Sequence, residues 1–145
     1  MGVYDEALVE PLARVLANLG VKKAMVVYGQ DGLDEISMSA PTTVCEVKDG
    51  EFLSYVITPE QFGFTRCSKD ELIGGSPQDN AQIALAILKG EKGPRRDAVV
   101  LNSAAAIHIA KGISIEDAIR EAQEVIDSGK ALAQLEQFAA LTNQE

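Results

Sequence analysis

The run Ala24-Met25-Val26-Val27-Tyr28, uncharged throughout and closed by Gly29, restricts the fold more than any other segment of the chain. A strand with no charged position on either side has no obvious face for water, so the run predicts a strand covered on both faces, the pattern of a parallel sheet's interior. Gly29 and the Asp31-Gly32 pair predict a turn straight after it, because glycine reaches backbone angles closed to other residues. Asp34 and Glu35 follow at once. Ligands of open α/β sheets gather beyond the carboxyl ends of such strands, where two neighbouring carboxylates are able to hold a hard cation such as Mg2+.

Adjacent acids point to opposite sides of an extended strand and about 100° apart on a helix, so sharing one ion requires an irregular turn. The flanking glycines can supply it. A plainer reading stays open on local sequence: Asp-Gly as a surface turn, followed by two solvated acids.

Before this segment, Leu8, Leu12, Val15, Leu16 and Leu19 recur at helical spacing. They predict a helix from Asp5 to Leu19, bent or restarted at Pro11 and ended at Gly20. A helix leading into a strand fits half of a parallel layer. After the acids, Thr42 to Val47 and Phe52 to Ile57 read as strands around Lys48-Asp49-Gly50-Glu51, since Asp-Gly is a strong hairpin signal. The hairpin is expected over an edge of the sheet, with Cys45 and Tyr55 as packing residues.

Thr58, Ser68, Ser76 and Ser114 each stand three residues before an acid or amide, the pattern of helix starts, and Gly90, Gly112 and Gly129 fall where helices should end. Between Asp97 and Ala110 apolar residues nearly encircle a helix, which implies burial, with Asn102 and His108 as hydrogen-bonded packing. Arg95 and Arg96 at its start read as solvated or salt-bridged rather than as a phosphate clamp. From Ile115 to Leu141 two amphipathic helices hinge near Ser128-Gly129. Their expected inner stripes are Ala118, Ile119, Ala122, Val125 and Ile126, then Leu132, Leu135, Phe138 and Leu141. The polar end Thr142-Asn143-Gln144-Glu145 reads as a terminus.

At 145 residues the chain fits one α/β domain, and shares of 46% hydrophobic and 24% charged residues suit a packed core. Thirteen basic against twenty-two acidic residues give a net charge of −9, which disfavours nucleic acid or an anionic membrane as partner. Cys45 and Cys67 are far apart and His108 is the single histidine, so no zinc spacing exists and the thiols read as reduced. The start lacks the basic and apolar blocks of a signal peptide, and the expected location is the cytoplasm.

The run Gly29-Gln30-Asp31-Gly32-Leu33-Asp34-Glu35-Ile36-Ser37 resembles the acidic signature of anthranilate phosphoribosyltransferases. Gly2-Val3-Tyr4 resembles the family's segment leading into that region, and Thr58-Pro59-Glu60-Gln61-Phe62-Gly63 its proline-started turn. The stretch from Gly90 to Asn102, Gly-Glu-Lys-Gly-Pro-Arg-Arg-Asp-Ala-Val-Val-Leu-Asn, resembles its late helix start. The family's Gly-Thr-Gly-Gly-Asp loop, its Lys-His-Gly-Asn segment and its helical N-terminal domain have no counterpart here. Tyr28 stands where the family has histidine, at a position that is not a metal ligand.

The resemblance implies the C-terminal portion of a nucleoside phosphorylase/phosphoribosyltransferase-type α/β domain: a partial parallel sheet with a β-hairpin and flanking helices. It implies phosphoribosyl pyrophosphate and anthranilate as substrates of the complete enzyme, with the anthranilate amine displacing magnesium-bound pyrophosphate. Asp34 and Glu35 are the implied Mg2+ ligands, and no general base or nucleophile is assigned within this chain. The isolated chain is expected to be inactive and to self-associate through an uncovered sheet edge. The alternatives are a related pyrimidine nucleoside phosphorylase, a non-enzymatic folding or assembly module, and a solitary acidic metal-binding protein.

Overall fold

A computed structural model describes residues 1–143; Gln144 and Glu145, the end of the polar tail, lie outside the described residues. The Asp5 carboxylate accepts the Ala7 amide at 3.0 Å and starts a single 3-10 turn, Glu6–Leu8, from which α1 (Val9–Asn18) continues. Pro11 falls in the first turn of α1, where a missing amide leaves no helical bond unmade. The helix therefore restarts at Val9 instead of bending. Gly20, with φ of +88°, turns the chain toward β1 (Lys23–Gly29).

Burial of β1 on both faces is as expected, with Ala24, Met25, Val26 and Val27 all buried. Alternate residues go to opposite cores, as the strand period requires. Ala24 and Val26 pack with Val9 and Ala13 of α1, whereas Met25 and Val27 pack with Val100, Leu101 and Ala104 of α3 (Pro94–Lys111).

The expected parallel sheet is not what the chain forms. β1, β2 (Thr42–Lys48) and β3 (Glu51–Ile57) make one three-stranded sheet in the order β1-β2-β3, antiparallel throughout, with Val26 opposite Cys45 and Cys45 opposite Ser54. Parallel neighbours need a crossover, usually helical. Here the loop after β1 folds back instead, closed by the Gln30 amide on the Pro41 carbonyl at 2.9 Å. Two-faced burial of β1 comes from helices on both sides, not from parallel neighbours. Among the described residues parallel pairing survives only at the Gly2–Val27 bridge, where the Val27 amide donates to the Met1 carbonyl at 2.9 Å and the Val3 amide to the Val27 carbonyl at 3.0 Å.

β1 is consequently an edge strand and β2 the middle one. The hairpin is not laid over an edge but supplies two of the three strands. Its turn has positive φ at Asp49 (50°) and Gly50 (88°), as a tight two-residue hairpin demands. Beneath the sheet the Tyr55 hydroxyl donates to Glu46 at 2.9 Å, and the other Glu46 oxygen lies 3.4 Å from His108 Nε2. Burial first, and Glu46 second, push the Tyr55 phenol well above its ordinary range.

Of the four hydroxyl-led starts, those at Thr58 and Ser68 open one-turn 3-10 helices, Pro59–Phe62 and Lys69–Leu72. Those at Ser76 and Ser114 open α2 (Pro77–Leu88) and α4 (Ile115–Asp127), and α4 buries Ala118, Ile119, Ala122 and Ile126 as expected. The stripe expected on α5 (Lys130–Thr142) is not buried: Phe138 is 61% and Leu141 67% exposed. Helical spacing records an apolar face without recording what covers it. No single helix among the described residues is long and apolar enough to cross a membrane.

Candidate metal centre

The loop between β1 and β2 carries both acids picked out in the sequence, and the structure sets them at the exit of β1 with their side chains exposed. Its shape is fixed from inside by Ser37, which is 1% exposed. The Ser37 amide donates to Thr42 Oγ1 at 3.0 Å. Its hydroxyl donates to Asp31 Oδ2 at 2.8 Å and accepts the amides of Ser39 (2.9 Å) and Ala40 (3.1 Å). The Ser39 hydroxyl donates to the same Asp31 oxygen, and Lys69 Nζ to the Asp31 carbonyl at 2.9 Å.

Two glycines let the backbone close up around the acids. A Cβ on Gly2 would lie 1.5 Å from the Asp34 carbonyl oxygen, and one on Gly29 would lie 2.8 Å from Asp31 Oδ1. The far side of the loop is tied to α3, where Asn102 Oδ1 accepts the Ile36 amide at 2.9 Å and its Nδ2 donates to the Ile36 carbonyl at 2.9 Å. Asp34 and Glu35 thus sit between a close backbone contact and a side-chain clamp.

Burial acts to raise the Asp31 carboxyl, but the hydroxyls of Ser39 and Ser37 outweigh it and hold it below the usual range. Asp31 therefore stabilises the loop at neutral pH and ceases to do so as pH falls through that depressed range. Glu35 runs the other way. Partial withdrawal from water raises its carboxyl, and the charges of Asp34 and Asp31 raise it further. Ionising Glu35 costs folded-state stability as pH rises through its range, and a cation set against the pair relieves the part of that cost due to like charge.

The donor set suits Mg2+, which takes hard oxygen ligands, is commonly held by one or two carboxylates and keeps water or phosphate in its other positions. No group of three or more metal-ligating side chains occurs among the described residues, so an ion here would draw the rest of its shell from outside this chain. Glu35 and Asn102 stand between two hollows. One, of about 350 Å³, runs along β1 past Gly2 and Ala106; the other, of about 690 Å³, is lined by Gly74, Asn80 and Arg95.

Arg96 is 4% exposed and pairs with Asp127 at 2.8 Å, which agrees with its reading as an ion-pair residue. His108 Nδ1 lies 2.5 Å from the Ile113 carbonyl, a packing contact. The residues that sequence reasoning passed over are Gly2, Asp31, Ser37 and Lys69. The Asp31-x5-Ser37-x-Ser39 spacing was a local signal for one of these contacts.

Replacing Ser37 with alanine leaves the Ser39 and Ala40 amides without their acceptor, so folding stability is expected to fall by about 1–3 kcal/mol. Urea unfolding checks this, and an unchanged midpoint would contradict the hydroxyl's role as hub.

Residues 1–132 match the glycosyl transferase family, a/b domain. The chain is 61% identical over 144 residues to the anthranilate phosphoribosyltransferase of Methanobrevibacter smithii, an alignment covering 99% of this chain and 43% of that protein. It is 55% identical over 144 residues to that of Lachnoclostridium phytofermentans, again with 99% and 43% covered. The chain therefore spans less than half the length of these curated relatives. The crystal structure of the Thermus thermophilus anthranilate phosphoribosyltransferase superposes with a TM-score of 0.87 at 38% identity, over 96% of this chain and 41% of that one. The Saccharomyces cerevisiae anthranilate phosphoribosyltransferase in complex with PRPP and Mg gives 0.86 at 28% identity, over 94% and 40%.

Proposed function

This chain belongs to the glycosyl transferase family through its a/b domain, and from that premise we propose that it is the C-terminal part of an anthranilate phosphoribosyltransferase. The complete enzyme transfers phosphoribosyl from phosphoribosyl pyrophosphate to anthranilate in tryptophan biosynthesis. On this reading residues 1–145 form one α/β unit of a larger, cytoplasmic catalytic domain. The observation that carries the reading is the carboxylate pair at the exit of β1, held open to solvent by contacts on both of its flanks.

Asp34 and Glu35 are assigned as the Mg2+ ligands of this chain. Mg2+, when bound there, supplies positive charge where the departing pyrophosphate gathers negative charge. The chain's own residues do the positioning: Ser37 and Asp31 shape the loop, Gly2 lets the backbone approach, and the hollow beside Glu35 leaves room for a phosphorylated ligand. No side chain here is assigned as nucleophile or general base. Transfer then depends on orientation and charge neutralisation, which a divided site delivers only when whole. Among the described residues the outer edge of β1 pairs only with Met1–Val3, which supports self-association through that edge when the chain is alone.

The test is activity with and without the remaining length. The 145-residue chain alone is expected to form no phosphoribosyl anthranilate, and the same chain joined behind the N-terminal part of the Methanobrevibacter smithii relative is expected to form it. Turnover by the chain alone, or none by a folded joined protein, would contradict the proposal.

A further inference from the structure

Carboxylates on a loop hold an ion only as well as the backbone beneath them is held. Directly after Glu35 the loop meets α3, and one side chain there makes the connection. Asn102 takes the Ile36 amide on its oxygen at 2.9 Å and gives its Nδ2 hydrogens to the carbonyls of Ile36 (2.9 Å) and Ala98 (3.0 Å). Accepting from the Ile36 amide while donating to two carbonyls takes one acceptor atom and two donor hydrogens, which the asparagine amide carries on a short stem. Ile36 is itself 3% exposed, so the residue after the acids is anchored by side chain and backbone together.

We propose that Asn102 is a positioning residue for the Asp34-Glu35 pair: by fixing the Ile36 peptide on α3 it sets the direction in which Glu35 leaves the loop. Both Nδ2 hydrogens are committed, so the amide offers no free donor to a substrate and acts through the loop. The partner lies 66 positions away in sequence, which makes the contact a long-range tie and not a local turn. Asn102 also separates the two hollows that Glu35 borders, so moving the clamp alters the wall of both. The inference rests on the reading of the pair as a metal grip, but the tie to the loop is measurable without metal.

The experiment uses the full chain, with Mn2+ as a paramagnetic probe that shares the preference of Mg2+ for oxygen ligands. In the unaltered protein the Ile36 amide is expected to exchange with solvent far more slowly than the neighbouring loop amides. Free exchange there overturns the proposal without any variant. In Asn102→Ala the Ile36 amide is expected to exchange at least about 10-fold faster, and Mn2+ affinity to fall by about 10-fold, the lower end of what loss of an outer support costs a metal site. The Asp34 and Glu35 amide signals are expected to move toward coil positions. Asn102→Asp, which keeps the size and the acceptor, serves if the alanine variant does not fold, and Ser103→Ala on the same helix is the control expected to change nothing.

If the unaltered chain alone binds no Mn2+, as an incomplete shell allows, the affinity comparison is made in the joined protein described above, and the Asp34 and Glu35 signals of the chain alone decide on positioning. Signals that stay in place in a folded variant, or Mn2+ affinity unchanged once the clamp is gone, overturn the inference.

Discussion

Exchanging Gly2 for alanine is expected to lower folding stability by about 1–3 kcal/mol and to loosen the contact between Met1–Val3 and the loop that carries Asp34 and Glu35. The added carbon would sit 1.5 Å from the Asp34 carbonyl oxygen and 2.4 Å from its carbon, both backbone atoms that no rotamer change can clear. Two routes relieve the clash. The loop can move, which breaks contacts in a packed region and costs about 1–3 kcal/mol. Otherwise Met1–Val3 can peel from β1, which exposes Val3, now 3% exposed, and costs about 1.5–3 kcal/mol for that side chain alone. The routes are close in energy, so the loss is expected whichever is taken. Amide exchange separates them: peeling exposes the Val27 amide, which now donates to Met1, whereas loop movement shifts the signals of Asp34 to Ile36. A variant with unchanged stability and unchanged signals in both places would remove Gly2 from the account.

The second large effect belongs to the acids. Asp34→Asn together with Glu35→Gln, in the joined protein described above, is expected to lower kcat/KM at limiting magnesium by about 100-fold or more. Charge stabilisation by a metal ion is worth several kcal/mol, and each 1.36 kcal/mol of barrier is about tenfold in rate. Both substitutions keep the size of the side chain and remove only charge. Both positions are exposed and Glu35 is already crowded by Asp34 and Asp31, so folding stability is expected to hold or rise slightly. An effect on rate without a loss of stability distinguishes ligands from structural residues.

Much of the fold was legible because its signals are local. The Asp49-Gly50 turn, the hydroxyl-led starts at Ser76 and Ser114 and the glycine at the end of α3 each act within a few residues of where they stand. The direction in which β1 pairs was not legible. An uncharged run such as Ala24 to Tyr28 looks the same whether parallel strands flank it or helices cover its two faces, and only the second occurs here. The stripe on α5 misled for a related reason, since Phe138 and Leu141 mark an apolar face that stays exposed among the described residues.

At the site, Asp34 and Glu35 stood out through the resemblance of the run Gly29 to Ser37 to a family signature, since on local sequence alone two acids after a glycine turn read equally as solvated. What holds them did not. Asn102 reads as one polar break in an apolar helix until its partner 66 residues earlier is known, and Gly2 reads as a flexible start until Asp34 is found against it. Ser37 combines both kinds of signal: its bond to Asp31 is local, whereas its burial depends on the whole sheet.

The central claim is that the acids leaving β1 grip magnesium, and a magnesium titration of the joined protein tests it most directly. The double variant Asp34→Asn, Glu35→Gln is expected to need far more magnesium for half its maximal rate, or to reach no maximum, while unfolding at the same urea concentration as its parent. Superimposable magnesium curves for parent and variant would contradict the claim.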